Sequence, residues 1–351
     1  MTDLLSMDQK DMEKLASDHG FPAFRGKQLY QWCHRKEIFS LEEMTDLPKA
    51  FRAFLGEHAE FRRGEKKAES VSENGETVKF LLRFGDDYIE TVLMRYSRKN
   101  ARDRNTLCVS TQAGCAMGCK FCATGQGGWR RDLSAGEIVD QVNFANEFLR
   151  RRGEEPVSNV VYMGMGEPLA NYDAVRKSIR ILNDAKDIGM RRISVSTCGL
   201  VPEIRKLAEE KLQLTLAVSL HGPDDELRNR LMPINKKYPL SVLMPALRDY
   251  IAETGRRVTV EYALFDRVND GVKEAEALGA LLKDGLFHVN LVPGNPVEGT
   301  DLKGSDPQRI RGFCRRLEKM GIPVSVRESK GRDIDGACGQ LRVKYQKLKK
   351  N

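Results

Sequence analysis

The chain has 351 residues, of which 40% are hydrophobic and 31% charged, proportions typical of a folded, water-soluble protein with one large core and a smaller domain. No apolar run approaches the roughly 18 residues of a membrane span, and the N-terminus lacks the features of a signal peptide, so we expect a cytoplasmic location. The net charge of +8 comes from residues 301–351, with 14 basic and 6 acidic residues, and this basic end favours a polyanion such as RNA as a partner, the alternative being a solvated face.

The first 60 residues are predicted to form short helices. Ser6 with Gln9 and Ser40 with Glu43 have the spacing of capping boxes, and RGKQLYQWCHRK has apolar residues at helical intervals. From about residue 67 the pattern becomes that of β-strands, in ETVKFLLRF and YIETVLM, with the turn signal GDD between them. We therefore expect an accessory domain over residues 1–96, helical at first and then with short strands, that contacts RNA.

After about residue 105, apolar strand candidates alternate with helical segments, a pattern typical of parallel strands joined by helical crossovers. The candidates are LCVST, NVVYMG, RISVSTC, LTLAVSLH, VTVEYALF, FHVNLVPG and IPVSVRES. Six or seven units are too few for a closed eight-stranded barrel, so we predict an α/β fold with an open, partial (β/α)6-type barrel over residues 97–340. In such folds the active site lies at the carboxyl ends of the strands.

Four cysteines lie in CVSTQAGCAMGCKFC, within a segment, 95–131, that holds eight basic residues and one acidic residue. Cys115, Cys119 and Cys122 have the spacing C-x-x-x-C-x-x-C, and thiolates suit both zinc and iron–sulfur clusters. A structural zinc ion needs four ligands, and Cys108 would be a fourth at an unusual spacing. Three thiolates on a four-iron cluster instead leave one iron open to substrate atoms. The spacing alone leaves both alternatives open.

The triad, with Phe121 just before its last cysteine, resembles the signature of radical S-adenosylmethionine (SAM) enzymes. The resemblance implies one [4Fe–4S] cluster, held by Cys115, Cys119 and Cys122, whose open iron binds the amino and carboxyl groups of SAM. It also implies that electron transfer splits SAM into methionine and a 5′-deoxyadenosyl radical. An electron-donor protein, such as a flavodoxin or ferredoxin, is then an expected partner.

Short polar residues follow several predicted strands, at the edge where such a cofactor would bind. In YMGMGEP, Gly164 and Gly166 allow close backbone approach, and Glu167 can pair with the ammonium group of SAM. The other candidate SAM contacts lie in STCG, SLHG and VPGNP: Ser196, Ser219, Leu220, His221 and Asn295. Turn chemistry also selects such residues, so their recurrence at four strand ends carries the prediction.

The other four cysteines are dispersed along the chain. Cys338, in GRDIDGACGQL, is flanked by small residues that leave its thiol uncrowded. Cys314 falls on an apolar helical stripe and is predicted to pack against the core, and we assign structural roles to Cys33 and Cys198 as well. Residues 341–351 are predicted to be a flexible basic tail that adds non-specific affinity for RNA.

Motifs along nearly the whole chain resemble those of the radical SAM RNA adenine methyltransferases that make 2-methyladenosine. They are Cys108 with the triad, GMGEPLANYD, VSTCGLVP, VSLHGPDDELRNRLMPIN, HVNLVPGNP, DIDGACGQL and, near the N-terminus, FRGKQLYQW and MTDLPKAFR. The resemblance implies methylation of 23S rRNA, before or during ribosome assembly, and in some members of tRNA beside the anticodon.

The resemblance also implies a mechanism, because C2 of adenine is not a nucleophile and a carbon radical must be brought to it. Cys338 accepts a methyl group from one SAM, and the radical from a second SAM takes a hydrogen from that group, so that its carbon adds to C2. Cys108 then releases the RNA through a transient disulfide with Cys338. Glu90 corresponds to the family's proton acceptor, although either Glu90 or Cys108 could remove the C2 proton. The alternative for Glu90 is an exposed strand residue.

Two other functions compete with this one. A sister enzyme that methylates C8 of the same rRNA adenosine and confers antibiotic resistance uses the same cysteines, but GMGEPLANYD is more similar to the C2 branch. A zinc-stabilised RNA-binding protein without catalysis is the rival from another class.

In GQGGWRR, Trp129 could stack on a base and Arg130 or Arg131 could hold phosphate, or the tryptophan could cap the core.

Overall fold

The computed structural model describes residues 1–98 and 101–343, so the predicted basic tail lies, from residue 344 onward, outside the described residues. The N-terminal part contains three α-helices and two short strands that pair in parallel: β1 (Thr2–Asp3), α1 (Gln9–Asp18), α2 (Ala23–Tyr30), α3 (Lys49–His58) and β2 (Ala59–Glu60). A π-helical turn continues α2 over Gln31–Arg35. None of the helices in the described ranges is long and apolar enough to cross a membrane.

The caps of these helices differ from those predicted. Helix α1 begins after Asp8, whose carboxylate accepts from the Asp11 N–H at 3.0 Å in a reciprocal capping box. The Ser6 hydroxyl instead donates to Asp3 at 2.5 Å and accepts from the Gly136 N–H at 3.0 Å. Ser40 precedes only a short 3-10 turn and makes no capping hydrogen bond. Both predicted capping boxes are therefore wrong: Asp8 caps α1 in place of Ser6, and the Ser40 hydroxyl donates to Glu42 Oε2 at 2.7 Å.

Four antiparallel strands follow: β3 (Glu65–Val71), β4 (Thr77–Phe84), β5 (Asp87–Arg98) and β6 (Ala101–Cys108). The sequence predicts β4 and β5 but not β3, which is exposed along its length. Strand β3 lies at the sheet edge, where charged side chains discourage pairing with another chain, and so it lacks the apolar alternation that identifies a strand.

A small hairpin encloses the cysteine triad: β7 (Gln112–Gly114), α4 (Ala123–Gln126) and β8 (Trp129–Asp132). Helical and strand segments then alternate: α5 (Ala135–Arg150), β9 (Asn159–Tyr162), α6 (Tyr172–Ala185), β10 (Ile193–Thr197), α7 (Val201–Glu209), β11 (Thr215–Ser219), α8 (Asp225–Leu231), α9 (Leu240–Thr254), β12 (Val258–Leu264), α10 (Val272–Leu282), β13 (Phe287–Pro293), α11 (Pro307–Lys319) and β14 (Val324–Val326).

The ten-stranded sheet has the order β3-β4-β5-β6-β9-β10-β11-β12-β13-β14, and the seven strands from β6 to β14 are parallel. All seven strand candidates of the sequence are therefore present, and the α/β, partial-barrel fold is confirmed. The antiparallel strands β3–β5 continue the same sheet, because β5 pairs directly with β6. The carboxyl ends of the parallel strands meet along one edge of the sheet.

A buried ionic network joins the N-terminal helices to the barrel helices. Lys186 Nζ donates to Glu37 Oε1 at 2.6 Å and to Asn143 Oδ1 at 2.7 Å, and the Lys186 and Glu37 side chains are only 5% and 8% exposed. Asn146 also donates to Glu37, at 2.8 Å. Neither side chain has ready access to water. The second cation bonded to Glu37, Arg150, is largely exposed, so Lys186 is the buried cation of this carboxylate.

Lys186→Met is expected to destabilise the protein by about 1–3 kcal/mol, because it leaves the buried Glu37 carboxylate with only the largely exposed Arg150 as a cation. Guanidinium unfolding monitored by circular dichroism measures the loss. The control is Lys14→Met, which removes an exposed i,i+4 pair with Asp18 and should change stability little. Adding Glu37→Gln to Lys186→Met should recover part of the loss, and a double variant as unstable as the single one would contradict this account.

Candidate active site

An open cavity lies at the carboxyl edge of the parallel strands, where the sequence predicts the site. It contains about 1010 Å³ of empty space, and its walls come from the cysteine segment after β7, from the ends of β9, β10, β11, β12 and β13, and from the loop after β14. Ten predicted site residues border it: Cys115, Cys119, Cys122, Gly166, Glu167, Ser196, Ser219, His221, Asn295 and Cys338. Folding therefore brings together motifs that are far apart in the chain.

The three cysteines of the triad have the chemistry of a metal-cluster site. Burial raises the pKa of Cys115 to about 12 and also raises the pKa values of the Cys119 and Cys122 thiols, and the mutual proximity of the thiols adds to the rise for Cys115 and Cys119. Such thiols become thiolates only when a strong positive charge compensates them, which a bound metal cluster provides. The donor set at the cavity wall fits an iron–sulfur cluster.

Within residues 1–98 and 101–343, no group of three or more His, Cys, Asp or Glu side chains is placed so that it could hold a single metal ion. Aromatic rings cover the segment beside the thiols: Phe121 packs edge-on against His221, with ring centroids 4.6 Å apart, and against Phe265 at 5.6 Å. Because Phe121 lies between Cys119 and Cys122 in the chain, these contacts anchor the segment that carries both thiols.

The glycines after β9 are required by packing between strands. An added Cβ would lie 2.7 Å from the Ser110 hydroxyl oxygen at Gly164 and 2.7 Å from the Gln112 Cβ at Gly166. Gly166 also has a φ of 106°, which an L side chain rarely adopts. Both glycines border the cavity. The close backbone approach that the sequence predicts at these positions is to Ser110 and Gln112 of the same chain.

Glu167 is a buried carboxylate at the cavity wall, 4% exposed. Its Oε1 accepts from the Leu169 N–H at 3.0 Å, and its Oε2 accepts from the Cys198 N–H at 2.8 Å. Burial raises the pKa of Glu167, and these hydrogen bonds oppose the rise. A cation next to this carboxylate would further stabilise its charged form, which is what a SAM ammonium group would supply.

The residues after β11 divide into cavity and core positions. Ser219 and His221 border the cavity, whereas the Leu220 side chain is fully buried in the hydrophobic core and does not line it, so only its backbone is near the site. His221 Nδ1 accepts from the Ala263 N–H at 2.9 Å, so a neutral ring carries its proton on Nε2. Burial, together with Arg228, lowers the pKa of His221 to about 3, so the imidazole is an uncharged donor.

Asn295 makes hydrogen bonds within the protein at the cavity where the sequence predicts a SAM contact. It borders the cavity, but its amide nitrogen donates to the Cys338 carbonyl at 3.0 Å and its Oδ1 accepts from Arg332 Nε at 2.7 Å. The Ala123 N–H donates to the Gly339 carbonyl at 2.7 Å, which ties the Cys338 loop to the residue after the triad. Asn295 therefore orients the loop that carries Cys338 at the cavity edge.

Cys108 and Cys338 border a second cavity that adjoins the first. Cys108 is the last residue of β6 and is 8% exposed, whereas Cys338 is exposed, and both are free thiols. Burial, and after it the nearby Cys338, raises the pKa of Cys108 to about 12, while Arg327 lowers it. Cys108 is thus a buried residue that neighbours the most accessible cysteine in the described part of the chain.

Glu90 is buried rather than exposed, with 6% of its surface accessible. Its Oε1 lies 3.0 Å from Lys79 Nζ, and its Oε2 accepts from the Arg342 N–H at 2.9 Å. Burial raises the pKa of Glu90, and Lys79 opposes the rise. The residue borders a cavity separate from those of Cys108 and Cys338, but it contacts the chain segment that carries Cys338. The alternative of an exposed strand residue is wrong.

Four residues of the site region escape the sequence analysis: Cys198, Arg228, Glu261 and Arg327. Cys198, Glu261 and Arg327 border the main cavity, and Cys198 is therefore not only a core residue, in contrast to Cys33 and the partly buried Cys314, which pack in or against the core. Glu261 was detectable as a charged residue inside the apolar strand VTVEYALF. Arg228 lies on an ordinary-looking amphipathic helix, and Arg327 follows a short edge strand, so neither has a local signal.

Trp129 and Arg131, near the triad, already make hydrogen bonds within the protein. Trp129 is 51% exposed and donates through Nε1 to Asp132 at 3.1 Å. Arg131 bonds to both Asp87 and Glu137 and donates to the Phe84 carbonyl, so its donors are already used. Arg131 is therefore not available to hold phosphate in this conformation, whereas the exposed indole of Trp129 remains a candidate for stacking.

Comparison with protein families identifies two parts of the chain. Residues 109–278 match the radical SAM superfamily, which implies SAM and a [4Fe–4S] cluster, and residues 2–61 match the ribosomal RNA large subunit methyltransferase N-terminal domain. The first match covers the triad and the strand ends of the cavity from β9 to β12.

Individual relatives resemble the chain over nearly its full length. A probable dual-specificity RNA methyltransferase RlmN from Desulfitobacterium hafniense is 48% identical over 346 residues, covering 97% of this chain and 96% of the relative. A protein of the same description from Moorella thermoacetica is 48% identical over 344 residues, with 97% of each chain covered. The crystal structure of a radical SAM methyltransferase from Sphaerobacter thermophilus superposes with a TM-score of 0.91 at 45% identity, covering 97% of this chain and 99% of that one.

Proposed function

The chain belongs to the RlmN family of radical SAM RNA methyltransferases, and from that premise we propose that it methylates C2 of adenosine in 23S rRNA, before or during ribosome assembly, and in tRNA beside the anticodon. It is a SAM-dependent enzyme by that membership, so the zinc-stabilised RNA-binding protein is not retained. When bound, SAM supplies the methyl group and, with the cluster, the radical chemistry, for which we propose two SAM molecules per turnover.

The observation that carries the proposal is the shared cavity of Cys108 and Cys338. Two thiols that are far apart in the chain and close in the fold fit a carrier and a releasing group. Cys338 is exposed at the junction of the two cavities, where its sulfur can accept a methyl group on one side and meet RNA on the other. The position of Cys108 on a sheet strand gives the second thiol a defined direction of attack.

We assign the steps to the chain's own residues as follows. The Cys338 sulfur receives the methyl group, and after the carbon of that group bonds to C2, a thioether joins Cys338 to the RNA. Release requires loss of the C2 proton and of one electron from the adduct radical, an electron that the cluster would take back. The Cys108 thiolate then attacks the Cys338 sulfur and forms a disulfide, and the electron pair of the broken sulfur–carbon bond stays on the carbon, which takes up a proton to become the new methyl group. A cellular thiol reductant then restores both cysteines. Arg327, which lowers the pKa of Cys108, favours the attacking thiolate.

Glu90 is the proposed proton acceptor, with Cys108 as the alternative for the C2 proton. The raised pKa of the buried Glu90 carboxyl makes its ionised form a stronger base than an exposed glutamate. Its hydrogen bond from the Arg342 N–H links it to the segment after Cys338, so movement of that segment when RNA binds would change the access of Glu90 to the site.

We further propose that Cys115, Cys119 and Cys122 hold the cluster and that SAM is bound by Glu167, Ser196, Ser219, His221, Asn295 and the backbone of Gly166 and Leu220. The domain division at residues 96 and 340 is part of the proposal, with the N-terminal domain and the basic tail contacting RNA. The proposed electron donor is a flavodoxin or ferredoxin, and the proposed location is the cytoplasm, where free thiols persist.

Methylation of 23S rRNA fragments by the purified enzyme is expected to yield 2-methyladenosine. Nuclease digestion followed by mass spectrometry and NMR of the modified nucleoside locates the methyl group, and synthetic 2- and 8-methyladenosine serve as standards. Incubation without SAM is the control for methylation already present in the RNA. Recovery of 8-methyladenosine alone would instead identify the chain with the C8-methylating alternative.

A further inference from the structure

Arg228 is a buried cation whose charge has no direct ionic partner in the described part of the chain. It lies on α8, and it is the largest fully buried side chain among the described residues. Its Nη1 donates to Asn235 Oδ1 at 2.5 Å, its Nη2 donates to the Cys198 carbonyl at 2.6 Å, and its Nε–H has no acceptor. Both hydrogen-bond partners are neutral, so neither of them balances the charge of the guanidinium.

Among the residues that the structure describes, the carboxylate that attracts Arg228 is Asp225, and it does so without a direct ion pair. Asp225 lies on the same helix, but its Oδ1 accepts from Asn235 Nδ2 and from the Leu240 N–H, both at 2.9 Å. A fully buried charge that is not paired is strongly unfavourable. An anion that completes the environment of Arg228 is therefore expected in the working protein.

The position of Arg228 identifies that anion. Besides the neutral His221, the groups that interact electrostatically with it include the thiols of Cys198 and Cys119, and Cys119 belongs to the triad. Helix α8 is also joined to the triad directly, because the Lys120 N–H donates to the Leu231 carbonyl at 3.0 Å. Arg228 does not border the main cavity, so it would not contact a cofactor bound there.

Gly199 makes this arrangement sterically possible. It has a φ of 106°, and a Cβ at this position would lie 3.2 Å from Arg228 Nη2. The turn after β10 thus bends over the guanidinium and directs the Cys198 carbonyl at it, while the Cys198 N–H binds Glu167. The buried guanidinium is therefore bonded to the turn after β10, which also binds Glu167, and its helix is bonded to the triad segment.

We propose that Arg228 is the counter-charge of the iron–sulfur cluster and raises its reduction potential. This inference rests on the proposed ligand role of Cys115, Cys119 and Cys122. A [4Fe–4S] core with three thiolates has one net negative charge when oxidised and two after it accepts one electron from a low-potential donor. A guanidinium stays protonated in both states, so no proton is exchanged, and its attraction is stronger for the reduced state.

The test is a potentiometric titration of the anaerobically reconstituted full-length protein with dithionite, monitored by the electron paramagnetic resonance signal of the reduced cluster. Arg228→Gln removes the charge, and Asn235→Asp adds a carboxylate beside the intact guanidinium. In both variants the ratio of reduced to oxidised cluster at a fixed potential is expected to fall about tenfold, equivalent to about 59 mV for a one-electron couple. Arg228→Lys keeps the charge, and Asn235→Ala removes the amide and its hydrogen bonds to Arg228, Asp225 and Asn229 without adding a charge, so both variants should remain near the wild-type ratio.

An unchanged ratio in both Arg228→Gln and Asn235→Asp would overturn the proposal, and so would an equal fall in Asn235→Asp and Asn235→Ala, which would indicate a purely structural role. If Arg228→Gln does not retain four irons, the comparison of the two Asn235 variants decides. Iron analysis of the wild-type protein tests the ligand role of the triad separately. A wild-type protein without a four-iron cluster would refute that ligand role. A normal cluster whose potential is unchanged in the variants would refute only the role of Arg228.

Discussion

Cys338→Ala is expected to abolish RNA methylation while leaving the cluster content of the protein unchanged. The thiol is exposed and is not one of the three triad ligands, so its removal takes away the methyl carrier without disturbing the cluster. The loop should keep its position, because Asn295 binds the backbone carbonyl of Cys338 and not its side chain. Transfer of radiolabelled methyl from SAM to RNA measures activity, and iron and sulfide analysis measures the cluster.

The matched control is Cys314→Ala. This cysteine lies on α11, packs partly buried against the core, and is absent from the walls of both thiol-bearing cavities. Its removal should leave methylation near the wild-type rate. Substantial methylation by Cys338→Ala would contradict the carrier role, and loss of iron in that variant would indicate that Cys338 supports the cluster instead.

Cys108→Ala is expected to accumulate enzyme that is covalently bound to its RNA. Methyl transfer to Cys338 and addition to C2 do not use Cys108, so the reaction should proceed to the thioether and stop there. The substitution truncates one buried side chain at a strand end and should cost roughly 1–2 kcal/mol of stability, too little to prevent folding. A band that migrates slowly on a denaturing gel and collapses after nuclease treatment detects the adduct.

Mass spectrometry should then locate the adenosine adduct on the peptide that contains Cys338. Cys33→Ala, which truncates a fully buried cysteine of the N-terminal core, is the control and should form no adduct. The double variant Cys108→Ala/Cys338→Ala should also form none, because it lacks the attachment point. Continued turnover by Cys108→Ala without any cross-linked species would exclude Cys108 as the releasing thiol.

The sequence by itself determined the elements and motifs that depend on local pattern. All seven parallel strands were predicted, because buried strands are short apolar runs bounded by turn residues. The positions of Glu167, Ser196, Ser219 and His221 at one cavity follow from the same pattern, since the carboxyl ends of parallel strands meet at one edge. The triad spacing likewise indicates a metal centre.

Only the tertiary structure decided the properties that depend on what folds against each residue. The Leu220 side chain is in the core, Glu90 is buried beside Lys79, and Asn295 holds the Cys338 loop, none of which a local pattern encodes. Cys108 and Cys338 share a cavity because β6 and the loop after β14 converge in space. Burial and charge pairing arise from contacts between distant segments, so the roles that rest on them, including that of Arg228, can be inferred only once the chain is folded.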